Sequence, residues 1–261
     1  MARHLALYRA FLAFRLQVLL EYRADLVIGV ASTLLLQAAG MAGVWVVLQR
    51  VPSVGGWRFE ELLLVYGFLV ASRSLEHMFA DNLWVVSRYL QEGSFDRFLV
   101  RPVDPLFHLL ADRFQHHGVG NLLAGLLAIG HAWGALGLPV TPGALVTAAA
   151  GILSGGLVFI ALNLATASSA FWLGFSLPVT RAVHGLHELA RYPLTIYGPG
   201  VRGLLTWVVP FAFASFIPAS ALLGREAGRL AWAGPPVSVA LALGAYQLWR
   251  LGLRRYTGTG S

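Results

Sequence analysis

The chain has 261 residues, 57% of them hydrophobic and 12% charged, with mean hydropathy +0.68 and a formal net charge of +7. A soluble domain carries roughly twice that charged fraction, so the composition points away from a water-soluble globular protein and toward an all-α membrane protein. There are no cysteines, and all 19 basic residues are arginine. That excludes thiol chemistry, the lysine of a P-loop nucleotide site and the amine of a Schiff base.

Residues 1–23 set Arg3, Arg9, Arg15 and Arg23 among Leu, Phe and Tyr. This predicts an interfacial helix with arginines reaching the headgroups. It does not fit a cleavable signal, because the apolar core starts late and no A-x-A site follows. Predicted spans follow at Asp25–Leu48, Leu62–Asp81, Gly118–Leu138, Gly143–Phe175 and Gly234–Leu253. Two stretches compete for the remaining crossing. Leu177–Tyr197 carries Arg181, His184, His187, Glu188 and Arg191, whereas Leu204–Leu223 is more apolar but broken by Pro210 and Pro218. Hydropathy alone favours the second.

Arginine placement sets the orientation. Arg88, Arg97, Arg101, Arg113, Arg250, Arg254 and Arg255 fall on the side of the N-terminal arginines, against Arg50, Arg58, Arg225 and Arg229 opposite. Six crossings, with both termini and the loop Gln91–Leu106 in the cytoplasm, satisfy this bias. The location that follows is the cell (inner or plasma) membrane. The basic residues form no single stripe, which argues against nucleic acid as a partner. Secondary transporters built from inverted repeats interrupt paired segments in both halves, and the break at Pro210 has no counterpart in the first half.

The loop Gln91–Leu106 reads QEGSFDRFLVRPVDPL and gathers Glu92, Asp96, Arg97, Arg101 and Asp104 in a charge-poor chain. Ser94 is expected to cap a short helix over Gly93–Leu99. Phe95, Phe98 and Leu99 fall on one face, Asp96, Arg97 and Arg101 on the others, and Pro102 and Pro105 are expected to end it. Such an element either rests on lipid or inserts its aromatic knobs into a partner's groove, and spacing does not choose between them.

Further candidates lie inside the spans. Arg73, Glu76 and His77 share the second one, where ionisable residues mark a transport pathway or gate, or else neutralise each other at i, i+3. His131 and Asn163 suit interhelical hydrogen bonds. His184, His187 and Glu188 look metal-like, but a zincin would need histidine where Arg191 stands. No metal or cofactor is expected. Gly130/Gly134 and Gly151/Gly155 permit close helix approach, within or between subunits. Ser154 lacks the G-x-S-G context of an intramembrane protease.

The run EGSFDRFLVRPVDPL, with RYPLTIY at 191–197, VVPFAFASFIPA at 208–219 and the closing LRRYTGTGS at 253–261, resembles a bacterial branch of the ABC-2 exporter permeases. The likeness spans nearly the whole chain. It implies one permease domain, residues 1–261, with an N-terminal interfacial helix, six transmembrane helices and a cytoplasmic coupling loop at 91–106. It also implies a fifth span at Leu177–Tyr197 and an outer re-entrant element at 204–223, against simple hydropathy. The partners implied are a separate ABC ATPase subunit, a second permease that is either the same chain or a related one, and membrane lipid. On that reading the coupling residues are Gly93, Phe95, Asp96, Arg97, Phe98, Leu99, Arg101 and Pro102, with both phenylalanines as anchors in the ATPase. The chain itself is then no enzyme. The alternative is a self-contained channel or secondary transporter.

Overall fold

The computed structural model describes residues 23–50, 53–112, 115 and 117–257, so the interfacial helix expected over 1–23 lies, apart from Arg23, outside the described residues. Among the described residues about 81% are helical and none lies in a strand. In order, the helices are α1 (Arg23–Leu48), α2 (Phe59–Phe79), α3 (Val86–Gln91), α4 (Pro105–Ala111), α5 (His117–Ala135), α6 (Pro142–Ser168), α7 (Ala170–Leu173), α8 (Leu177–Gly185), α9 (Pro199–Gly203), α10 (Phe216–Leu222) and α11 (Gly234–Arg255). Short 3-10 and π turns join several of them. Among the described residues three stretches are long and apolar enough to cross a membrane, namely Leu26–Val46, Phe59–Phe79 and Pro142–Leu173. The helices α5 and α11, of 19 and 22 residues, fall short of that apolarity.

Local chemistry places the helix starts. Thr141 accepts a hydrogen bond from Ala144 N at 3.1 Å, with Pro142 in the first helical position, so α6 begins there. In α2, Glu61 Oε2 reaches back to the Arg58 backbone N–H at 2.9 Å. Pro105 does not end the preceding helix as expected. It opens α4, behind an Asp104 cap that accepts from Phe107 N at 3.0 Å.

At the centre stands α2, packed on α5 and α6, with α11 along α6 and α1 leaning mainly on α5. In the α2 span 67% of the residues are buried, against 17% in the α1 span, so α1 leaves most of its apolar surface uncovered by this chain. The α2–α5 crossing is close because Gly67 and Gly125 face each other. A Cβ on Gly125 would stand 2.5 Å from Ala71 N and 2.8 Å from Gly67 O. Gly151 and Gly155 pack inside the chain, the first on Pro218 and the second on Ser72 and Ala214. Gly130 and Gly134 have no neighbour within 4 Å, and exposed His131 makes no hydrogen bond among the described residues, contrary to the expected interhelical bond.

Neither competing stretch forms one continuous helix. Leu177–Tyr197 is the nine-residue α8 followed by 3-10 turns at Leu186–Arg191 and Leu194–Ile196. Leu204–Leu223 passes through a π turn and a 3-10 turn before α10. Pro193 precedes the turn at Leu194–Ile196 and Pro210 the turn at Phe211–Ala214, each at a break, whereas Pro218 lies within α10. Broken backbone is tolerated at membrane depth only where protein covers it, and Phe211–Ala214 is almost wholly buried. Two carbonyls in these breaks are satisfied by side chains: Ser72 Oγ donates to Ala214 O at 3.0 Å, and Ser215 Oγ donates to Ala190 O at 2.8 Å.

These contacts leave no room for a side chain at the α2–α5 crossing. Gly125→Ala is expected to cost about 1–3 kcal/mol through overpacking, whereas Gly130→Ala is expected to be near neutral. Thermal unfolding of the two purified variants in detergent checks the contrast.

Candidate functional site

Two sites emerge, one at the end of the bundle and one within it. At the end, α3 stops at Gly93, whose φ of 67° lies in the left-handed region. The expected helix over Gly93–Leu99 is a 3-10 turn at Ser94–Phe98. Ser94 does not cap it; Gly93 occupies that position and no side chain closes the first turn.

The expected role of the phenylalanines needs correction. Phe95 and Phe98 have no exposed surface, so neither can serve as a knob in a partner's groove. Phe95 is ringed by Phe171, Trp249, Tyr256 and Phe98, with centroids at 5.7, 6.1, 5.3 and 5.7 Å. Phe98 lies against Tyr89 at 5.4 Å and His108 at 5.0 Å. The amphipathic face is real, but it covers the chain's own aromatic residues. Polar bonds add to the fastening. Tyr256 Oη donates to Asp96 Oδ1 at 2.8 Å, and Tyr246 Oη donates to Asp104 Oδ2 at 3.2 Å. The loop is therefore pinned to α11 and its C-terminal end.

What remains outward is a different set. Asp96, Arg97, Leu99, Val100, Arg101 and Pro102 are exposed, with Leu99 at 42% and Val100 at 82%. Arg97 lies over the Tyr89 and Phe98 rings at 4.9 and 4.7 Å and reaches Asp112 at 3.3 Å, which holds its guanidinium in place. Arg101 donates to His108 Nε2 at 3.0 Å. Burial, helped by the Arg101 cation, pushes the His108 pKa below its usual value, which suits the neutral ring that this bond requires.

Inside the bundle, the ionisable residues of α2 meet the broken segment after α6. Arg73 and Glu76 act on each other electrostatically, as their i, i+3 spacing suggests, while their hydrogen bonds go to other elements. Arg73 Nη1 donates to His187 Nε2 at 2.7 Å. Glu76 Oε1 accepts from Asn163 Nδ2 at 2.6 Å and from Trp84 Nε1 at 2.8 Å. His184 Nδ1 stands 3.8 Å from Glu76 Oε2. His187 Nδ1 bonds the carbonyl of His184, and Glu188 lies 3.0 Å from both His187 and Arg191. On the far side of Arg73, Tyr66 Oη donates to Gln37 Oε1, and Gln37 in turn donates to Asn121 at 2.7 Å. A small cavity of about 30 Å³ lies among Gln37, Tyr66, Arg73, Asn121, His187 and Arg191. His77 is on the same helix, with its Nε2 buried and unpaired. No group of three or more potential metal ligands forms among the described residues.

Sequence reasoning singled out Arg73, Glu76 and His77 but missed that His184 and His187 are their partners. The signal was present, because polar side chains in Leu177–Tyr197 require an internal surface to face. Trp249, Tyr256 and Phe171, the seat of the loop, carried no comparable signal.

Since the seat is aromatic and dry, Phe95→Ala is expected to cost about 3–5 kcal/mol, read as a fall in unfolding temperature and faster proteolysis of the loop. Val100→Ala, at an 82% exposed position, is expected to stay within about 0.5 kcal/mol.

A family model described as ABC-2 family transporter protein matches residues 34–260. Searches of the curated proteins and of the solved structures find no match. The matched range takes in the loop, the intramembrane cluster and both broken segments. The chain belongs to the ABC-2 transporter family.

Proposed function

We propose that the chain is the membrane-spanning permease subunit of an ABC exporter, driven by a separate ATPase that docks on the outward face of the loop 91–106. Family membership supports the permease reading and an ABC ATPase partner in general. The absence of lysine in the sequence agrees with nucleotide binding elsewhere. The carrying observation is the shape of the loop: a buried aromatic root beneath an exposed cap of Leu99, Val100, Arg101 and Pro102.

A partner that grips this cap moves a body joined to α11, because Phe95, Asp96 and Asp104 tie the loop to Trp249, Tyr256 and Tyr246. Leu99 and Val100 are the apolar anchors, with Arg97, Arg101 and Asp96 as the polar rim that sets register. The phenylalanines act one layer below, as the rigid seat. Arg73, Glu76 and His77 are the pathway or gating residues, held closed by the segment 177–191.

Six crossings, cytoplasmic termini and a cell-membrane location follow from the arginine bias. The crossings are α1, α2, α5, α6, the broken stretch Leu177–Tyr197 and α11, and residues 204–223 form the re-entrant element. The uncovered face of α1 suits a second permease, a related chain in preference to a copy, with lipid around the pair. At the end away from the loop, a cavity of about 770 Å³ is lined by Trp133, Trp232, Arg225, Glu226 and Arg229 among others. Its mixture of indoles and charges suits an amphiphile as cargo.

Two measurements bear on this reading. Leu99→Glu with Val100→Glu is expected to reduce ATPase co-purification at least tenfold, about 1.4 kcal/mol of affinity, with the unfolding temperature unchanged; undiminished co-purification contradicts it. A cysteine replacing Arg101 is expected to react with an impermeant thiol reagent only in inverted vesicles, and labelling in intact cells contradicts the orientation.

A further inference from the structure

The cluster around Glu76 holds an excess of polar atoms that find no partner. Glu76 has no exposed surface and His184 only 2%. Glu76 Oε1 takes two hydrogen bonds from neutral donors, but among the described residues Oε2 takes none, and both ring nitrogens of His184 are likewise unpaired. The two unpaired faces look at each other, with His184 Nδ1 at 3.8 Å from Oε2. Apolar rings close off the surroundings of His184: Trp84 at 4.9 Å, Phe159 at 6.1 Å and Phe211 at 6.3 Å.

Such a site has a definite proton demand. With no added proton, the neutral ring can offer its one N–H to Oε2, but a full carboxylate charge then stays buried among apolar rings, which is costly. With two protons, an imidazolium faces a neutral acid and lacks its counter-charge. A single proton satisfies both, either on the carboxyl group and hydrogen-bonded to the ring or on the ring and paired with the carboxylate. A closure of roughly 1 Å brings the 3.8 Å separation to hydrogen-bond length. The other groups facing the pair balance one another in sign. Arg73, His77 and Asp81 come from α2 and the turn after it, and His187 from the broken segment; one step further out, His117 of α5 acts on His77, and Glu188 and Arg191 act on His187. From α6, neutral Asn163 and Phe159 face the pair.

We propose that Glu76 and His184 form a proton-binding site within the bundle, holding one exchangeable proton between them and latching the segment 177–191 to α2. The ligand is the proton itself. The site does not depend on the ATPase reading, because every group in it belongs to this chain, and the chain alone suffices to test it.

Infrared difference spectra of the purified full chain, free of any ATPase, are recorded between about pH 5 and pH 9, the range that brackets histidine and raised carboxyl groups. Glu76→Gln identifies the Glu76 carboxyl band, and His184→Gln identifies the ring mode of His184. A single titration step involving both bands is expected, and either substitution removes it, as coupled groups require. Trp84→Phe, which deletes one donor to the carboxylate, is expected to move the step to higher pH, and it gives a readout should Glu76→Gln fail to fold. Two independent steps, each removed by only one substitution, would overturn the proposal. So would the absence of any step in that range, or a step that Trp84→Phe leaves in place.

Discussion

The packing of Phe95 into its aromatic seat is the contact on which the mechanics of this permease depend. A loop at the end of a bundle is ordinarily the most mobile part of a protein. Here its root is wholly buried among Phe171, Trp249 and Tyr256, and two tyrosine hydroxyls hold its carboxylates. Force applied to the exposed cap therefore reaches α11 with little lost in bending the loop. Because α11 packs along α6, and α6 against α2, the same contact places the outer surface of the loop in mechanical series with the polar cluster of α2.

That cluster obeys a second constraint. Charged and polar groups within an apolar bundle must find partners inside the protein. Arg73 and Glu76 find theirs in Asn163 of α6 and in a segment more than a hundred residues away, at His187 and His184. The broken stretch Leu177–Tyr197 is thereby explained from both sides: its polar residues need α2, and α2 needs them. A continuous apolar helix there would leave Arg73 and Glu76 without the two histidines.

Much of this was legible in the residues. The five long helices lie close to the ranges expected from the apolar runs, and some starts leave local marks, as Thr141–Pro142 does for α6. The apolar face of Phe95 and Phe98 was equally plain. Its direction was not, since an i, i+3 stripe looks the same whether it covers its own chain or a partner's. His184 and His187 were read for metal ligation by local spacing, which cannot reveal a partner 108 or 114 positions distant. The serines that satisfy carbonyls in the broken stretches, Ser72 on Ala214 and Ser215 on Ala190, lie 142 and 25 positions from them, beyond any local window.

On the proposed reading the power stroke comes from a separate ATPase, so the chain does not pump alone. The most direct test is to reconstitute the purified chain into liposomes with and without the ATPase that accompanies it from native membrane, and to follow uptake or loss of a fluorescent amphiphile. The account predicts movement against a gradient only when the ATPase and ATP are both present. Concentrative movement by the chain alone, with no nucleotide, would contradict it.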